Sequence, residues 1–283
     1  CADIKKDCIS NFIADEFWEM PETSDDNLEL IVDFLKEKKI NIVLPTRDGE
    51  LKFWSKNLKK LNSLGIEVII SPPEGIDICL DKLKFYEFGL SNGFNFIQTS
   101  QDINLINSDK FTVKEQFGSG SEFLGLDLTK KDAIEYSKKL KNPIFQPFIK
   151  GKEISIDSWI SKSHKVKGNI LRTRDLVING ESKVTTTFFD QNLEKKVNKI
   201  LETLKLSGPV VLQGIVKSNG DIVFIECNSR FGGGSDISIR AGLDSLYWSI
   251  LEIQGENLDE YLFHKSTSIL RKVRVQEDIY LEI

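Results

Sequence analysis

Residues Val210 to Gly234 read V-V-L-Q-G-I-V-K-S-N-G-D-I-V-F-I-E-C-N-S-R-F-G-G-G, two apolar-rich alternating runs on either side of Asn219-Gly220. An Asn-Gly pair in that setting is the preferred two-residue hairpin turn, because both central positions need a positive φ. Counting back from such a turn pairs Ser218 with Asp221, Val216 with Val223 and Gln213 with Glu226. Directly opposed residues share a face with Cβ atoms about 5 Å apart. The two-residue period adds Asn228 to that face and turns Cys227 to the other. Three oxygen-bearing side chains therefore converge, a donor set that suits Mg²⁺ and, through it, nucleotide phosphates. The same triplet also fits a hydrogen-bonded polar face turned to solvent. Arg230, two residues on, projects beside the set, where a guanidinium grips phosphate oxygens bidentately. Gly232-Gly233-Gly234 either lets backbone amides approach a ligand or forms a flexible turn.

Two further constellations lie upstream. In Phe111 to Glu122, Lys114 ends a strand-like run and the small-residue loop Gly118-Ser119-Gly120-Ser121 follows before another apolar run at Phe123–Leu128. Amides of such a loop cradle phosphates and the lysine adds a point charge, although a plain hairpin loop has the same composition. It is neither a P-loop nor a Rossmann fingerprint, since the loop is followed by a strand and not by a helix. In Gln146 to Asp157, Gly151 separates two strands, and parity places Glu153 and Asp157 on one face. A carboxylate there suits ribose hydroxyls, and the extended Phe148-Ile149 backbone suits an adenine edge. A surface Lys-Glu strand edge is the plainer alternative.

Toward the N-terminus the pattern changes. Leu28, Ile31, Val32 and Leu35 recur at helical spacing before the apolar run Ile40–Leu44. A second such unit follows, with a helix over about 51–64, Gly65 as its stop, and the strand Glu67–Ser71 ahead of Pro72-Pro73. Helix and short strand in alternation predict a parallel α/β arrangement over residues 1–74, most of a small doubly wound domain whose opening strand and glycine turn are expected to precede Cys1. Pro72 to Gly75 marks a boundary, and Asp81 to Gly89 reads as a short helix. From Phe111 onward strands dominate, at Phe111–Glu115, Ile144–Ile149, Glu153–Ile160, Gly168–Arg174, Val210–Val216 and Ile222–Asn228. Helices fall near Lys131–Lys141 and Leu193–Leu206. That mixture predicts an α+β region with antiparallel sheets over 75–283, with a smaller subdomain at about 104–150.

Composition narrows the function class. The 283 residues carry a net charge of −5, with 40% hydrophobic and 29% charged residues, and a sequence pI near 5.4. There is no basic footprint for nucleic acid and no apolar run of the roughly 18 residues that a membrane span needs. Two histidines argue against a histidine metal site or a Ser-His-Asp triad. Cys1, Cys8, Cys79 and Cys227 are sparse and lack C-x-x-C spacing, so reduced thiols in a cytoplasmic protein are expected.

The three constellations, in this order, resemble the ATP-grasp superfamily, closest to its single-domain carbamoyl-phosphate-synthase-like branch and similar also to the pyrrolysine-biosynthesis ligase. The resemblance runs through Asp81-Lys82, the Lys114 and glycine loop, Gly151-Lys-Glu153, Arg172-Thr-Arg174, Gly180-Glu-Ser182 and Glu226-Cys-Asn-Ser-Arg-Phe-Gly-Gly-Gly234. It implies a partial pre-ATP-grasp α/β domain followed by an ATP-grasp fold with two antiparallel-sheet subdomains. It further implies ATP with Mg²⁺ or Mn²⁺, the metal held by Gln213, Glu226 and Asn228. Lys82 and Lys114 would contact phosphates beneath the Gly118–Ser121 loop, Glu153 would hold the ribose, and Gln146, Phe148 and Ile149 would line the nucleotide site. Arg230, Arg172 and Arg174 would face the acyl phosphate or the substrate carboxylate. The implied activity is carboxylate–amine or carboxylate–thiol ligation through an acyl phosphate. Homodimers are common in the family, and the alternative is an ATP-binding regulatory module without turnover. Glu115 stands where family members usually have proline, and strand alternation predicts that it turns away from the phosphates. Complete carbamoyl phosphate synthesis is not expected, because the chain has neither an internal duplication nor a glutaminase pattern.

Overall fold

A computed structural model describes residues 1–118 and 123–280. Ser119, Gly120 and Ser121, expected in the phosphate loop, lie outside the described residues.

The N-terminal third is built from β1 (Ala2–Asp3), α1 (Ser10–Ile13), β2 (Trp18–Glu19), α2 (Leu28–Glu37), β3 (Ile42–Val43), α3 (Asp48–Lys56), α4 (Leu58–Ser63) and β4 (Glu67–Val68). Strands pair in parallel, as the alternation of helix and strand requires: β1 with β2, and β3 with β4 in the register Ile42↔Glu67. Ile31, Val32 and Leu35, the apolar stripe of α2, pack with Leu51, Trp54, Leu61 and Val68 into one core. The strands are shorter than their apolar runs. The single helix expected over 51–64 is two, and it begins earlier. The break falls at Asn57, whose side chain donates to the Phe53 carbonyl at 2.9 Å and so competes with the helical backbone.

Pro73 starts α5 (Pro73–Leu80), and Asp81 caps α6 (Lys82–Ser91) by accepting from the Leu83 amide at 2.9 Å. A small antiparallel sheet follows, in the order β6-β5-β7, from β5 (Phe111–Glu115), β6 (Gly125–Leu128) and β7 (Pro143–Pro147). It packs on α7 (Lys130–Ser137) through Phe111, Val113, Ala133 and Phe145.

The larger sheet is built from β8 (Gly151–Ile160), β9 (Val166–Ile178), β10 (Glu181–Phe188), β11 (Gly208–Lys217) and β12 (Ile222–Asn228), with α8 (Gln191–Thr203) between β10 and β11. After α9 (Asp236–Arg240) and α10 (Ser245–Ile253), β13 (Arg271–Val273) joins its edge. Among the described residues the strand order is β12-β11-β8-β9-β10-β13, antiparallel throughout. One face carries Ile154, Ile156, Leu171 and Leu212 against Val197, Ile200 and Leu201 of α8. The expected α/β then α+β organisation is the one observed. Strand β10 escaped the sequence reading even though Val184-Thr-Thr-Thr-Phe188 is rich in β-branched residues.

The β11–β12 hairpin reaches the expected Gln213↔Glu226 pair by a different route. Gly220 has φ +86° and Asn219 has no positive φ, which excludes the two-residue turn with both central positions left-handed. Lys217 donates to the Asp221 carbonyl at 2.8 Å and accepts from Gly220 at 2.9 Å, closing a three-residue loop. The register next to the turn is therefore Val216↔Ile222 and Ile215↔Val223, one residue off the expectation. A bulge between Gly214↔Phe224 and Gln213↔Glu226 then restores it. The same bulge explains why Phe224 and Cys227, three apart, both face the α8 core.

Candidate functional site

The face of the large sheet opposite α8 is polar. On β8, Ile154 and Ile156 turn to α8 while Glu153, Ser155 and Asp157 turn the other way, as the two-residue period demands. Between this face and the small β6-β5-β7 sheet runs a cleft of about 1360 Å³. Its lining includes Lys82, Lys114, Gly118, Gln146, Phe148 and Ile149 from the side of the small sheet. Glu153, Arg172, Arg174, Gln213, Glu226 and Asn228 line it from the large sheet, and Arg230 with Gly232, Gly233 and Gly234 closes one end. Apart from Asp157, the described residues singled out for the site thus border one space.

The Gln213–Glu226–Asn228 triplet is assembled by backbone register. Asn228 Nδ2 donates to Glu226 Oε1 at 3.4 Å, and Gln213 stands directly opposite Glu226. Arg174 supplies a cation to the same group: Nη1 donates to Gln213 Oε1 and to Glu153 Oε2, each at 3.1 Å. Its other nitrogens are engaged by Ser182 Oγ at 3.1 Å and the Gly180 carbonyl at 2.6 Å. Arg174, expected to face a substrate anion, borders the cleft while being held mainly by its own sheet. Four of its five N–H groups are engaged within the sheet, tying the ribose candidate Glu153 to the metal candidate Gln213.

Asp157 is likewise not free for a ribose. It accepts from Arg172 Nε at 2.6 Å, from Ser238 Oγ at 2.7 Å and from Ser235 Oγ, and is buried with all of them. Arg172 keeps one buried nitrogen, Nη1, without a hydrogen-bond partner. A Cβ on Gly234 would stand 3.1 Å from that atom, so the glycine loop lies flat on the guanidinium. Burial leaves Arg172 a wall of the cleft facing Gly234.

Lys82 Nζ donates to the carbonyls of Gly118 at 2.9 Å and Gln116 at 3.3 Å. Burial pushes its pKa down, against the pull of Glu226, Asp48, Asp81 and Glu115. Lys114 is pushed down to about 8 by burial, with Glu226 and Glu153 opposing and Lys82 adding to the shift. An incoming polyanion would raise both pKa values and so favour the charged form of each lysine. Glu115 turns away from this group, accepting the amides of Lys141 at 2.7 Å and Asn142 at 2.9 Å. Gln146, buried, donates to Thr99 Oγ1 at 2.8 Å, and the Phe148 amide is used by the Lys110 carbonyl at 2.8 Å.

Arg230 meets a partner that no local pattern announced. Its Nε and Nη2 donate to Asp48 Oδ1 and Oδ2 at 2.8 and 2.6 Å. Asp48 opens α3, and nothing in the sequence links it to a residue 182 positions away. Ser235 and Ser238 were missed for the same reason, and Ser182 was named without a partner. Their roles come from side-chain contacts across strands and loops.

The donor chemistry of the triplet fits a hard divalent cation weakly held by protein. It offers a carboxylate and two amide oxygens, all oxygen ligands. Among the described residues no cluster of three His, Cys, Asp or Glu side chains is suited to a metal ion. Such a site needs further oxygens from a ligand, as when Mg²⁺ arrives with nucleotide phosphates.

Residues 139–277 match the family described as ATP-grasp in the biosynthetic pathway with Ter operon, and residues 1–69 match the PylC-like N-terminal domain. Among solved structures, the chain is similar to the biotin carboxylase domain dimer of 2-oxoglutarate carboxylase from Hydrogenobacter thermophilus, in complex with MgADP, ADP and bicarbonate. The TM-score is 0.75 at 17% identity, covering 95% of this chain and 67% of that one. N5-carboxyaminoimidazole synthetase from Staphylococcus aureus gives 0.68 at 20% identity, covering 90% and 70%. L-amino acid ligase from Bacillus licheniformis gives 0.62 at 18%, covering 80% and 58%. The chain thus spans about two thirds of the length of the structures it resembles. No curated protein matches it significantly. Among the described residues no helix is long and apolar enough to cross a membrane.

Proposed function

We propose that this chain, whose residues 139–277 match an ATP-grasp family and whose residues 1–69 match a PylC-like N-terminal domain, is an ATP-dependent ligase that activates a substrate carboxylate as an acyl phosphate and passes the acyl group to an amine. The observation that carries this reading is the convergence of Gln213, Glu226 and Asn228 with Lys82, Lys114 and Arg230 on one cleft. Oxygens on one side suit a cation and nitrogens on the other suit phosphate. We divide the chain at about residue 74, with residues 104–150 as the lid over the nucleotide.

Glu226, Gln213 and Asn228 would hold Mg²⁺, or Mn²⁺ with the same donors, which supplies charge neutralisation at the terminal phosphates. Lys82 and Lys114 stabilise the phosphate oxygens, and Arg230 faces the transferring group. Glu153, 44% exposed at its side chain, has oxygens available for ribose hydroxyls. Gln146, Phe148 and Ile149 line the base. The substrate carboxylate oxygen attacks the γ-phosphorus as the bond to ADP breaks. The amine then attacks the acyl carbon, and phosphate leaves as the nitrogen loses its proton. No protein nucleophile is required, so the chain contributes positioning and electrostatics. The cleft wall at Arg172 and the Gly232–Gly234 loop sets which acid is accepted. A thiol acceptor uses the same acyl phosphate. A place in the carbamoyl-phosphate-synthase-like branch, a cytoplasmic setting and a homodimer complete the reading.

Calorimetric titration with a non-hydrolysable ATP analogue tests it. The expected result is binding that requires Mg²⁺ and is abolished in Glu226→Ala, followed by ADP release once the right carboxylate and amine are supplied. Magnesium-dependent binding without turnover across carboxylate–amine pairs would identify a regulatory module. No binding by folded protein would overturn the reading.

A further inference from the structure

The Asp48–Arg230 pair joins the N-terminal α/β unit to the segment that directly follows β12, the strand that carries Glu226 and Asn228. Asp48 is 8% exposed at its side chain and Arg230 is 16%, so both ends are fixed in a largely dry setting. The contact uses two parallel N–H to oxygen bonds, the geometry that fixes a guanidinium plane as well as its position. Arg230 Nη1 donates in addition to the Phe231 carbonyl at 3.2 Å, leaving two of the five N–H groups for a ligand in the cleft. The Asp48 side is itself braced. Glu50 Oε1 accepts the amides of Thr46 and Arg47 at 2.8 and 2.9 Å, and Trp54 Nε1 donates to Glu50 Oε2 at 3.2 Å. A long flexible arginine is thereby anchored to a rigid helix start, and the orienting group lies in a different part of the fold from the one Arg230 grows from.

We propose that Asp48 is a positioning residue that orients Arg230 toward the terminal phosphate, so that the N-terminal unit contributes to nucleotide recognition through that arginine. This rests on the reading of the cleft as an ATP site. Asp48 acts through Arg230 and touches no substrate. Its loss frees the guanidinium to swing away from the one phosphate that distinguishes ATP from ADP.

The test compares the affinity of a non-hydrolysable ATP analogue and of ADP, each with Mg²⁺, for wild type, Asp48→Asn, Arg230→Gln and the double variant. Asp48→Asn is expected to weaken the analogue about tenfold, the size of one charge-assisted hydrogen bond, with ADP affinity changed by less than about twofold. The double variant is expected to bind the analogue no more weakly than Arg230→Gln alone, because both changes remove one device. Unchanged analogue affinity in Asp48→Asn overturns the proposal, and so do additive losses in the double variant, which mark a purely structural role. Should Asp48→Asn fail to fold, Asp48→Glu keeps the charge and displaces it by one methylene. A narrowed preference for the analogue over ADP then supports the proposal, and an unchanged preference overturns it. Wild type that binds neither nucleotide removes the ATP reading itself, an outcome visible before any variant is compared.

Discussion

Arg174 Nη1 lies 3.1 Å from both Glu153 Oε2 and Gln213 Oε1, so one guanidinium links the middle strand of the large sheet to its outer hairpin across the cleft floor. The remaining bonds, to Ser182 and Gly180, tie in the tip of the β9–β10 hairpin. Replacing Arg174 by Ala removes all four at once. Unfolding in urea should then require about 2 kcal/mol less, the scale of hydrogen bonds to a charged group in a partly buried setting. The Mg²⁺ concentration needed for nucleotide binding should also rise, because Gln213 loses the group that holds its carbonyl in place.

The Asp157–Arg172 pair is more deeply buried, with side chains 3% and 4% exposed. Removing one member of such a pair strands the other charge away from water and typically costs about 3–5 kcal/mol. Asp157→Ala should accordingly be among the most destabilising single changes in the sheet, by denaturant titration. Arg172→Met, which removes the cation and leaves Asp157 with its two serine donors, should cost less.

Lys114 gives a pH signature. With its pKa pushed down to about 8 from 10.5, it binds fewer protons folded than unfolded between those values. The free protein therefore gains stability from this group as pH rises through that window, and carries the full cost of the buried charge below it. Phosphate restores the charge, so nucleotide binding at pH 8–9 should take up a proton and weaken as pH climbs further. Calorimetry in two buffers of different ionisation enthalpy should detect the uptake, and Lys114→Met should abolish it.

Glu115 should prove structural. Two backbone amides of the turn before β7 depend on its carboxylate, so Glu115→Ala should destabilise the small sheet by about 1–2 kcal/mol. Affinity for the ATP analogue should stay within about twofold of wild type once the protein is folded. A large affinity change with unaltered stability would show instead that its charge acts on the phosphates.

The sequence by itself determined the parallel α/β start, the antiparallel remainder, and the shared face of Gln213, Glu226 and Asn228. These follow from periodicities of 3.6 and 2.0 and from strand pairing, which act over a few residues. It was less reliable about turn detail. Asn219-Gly220 closes a three-residue loop, and the expected Gln213↔Glu226 pair survives only because a bulge cancels the shift. Only the tertiary structure decided how the charges are used. Asp48 with Arg230, Asp157 with Arg172, and Arg174 between Glu153 and Gln213 are partnerships spanning 182, 15, 21 and 39 residues. Which carboxylate neutralises which guanidinium depends on burial and on atoms brought within 3 Å or so by packing, because only there does desolvation make an unpaired charge too costly to leave. Local pattern carries no record of that distance.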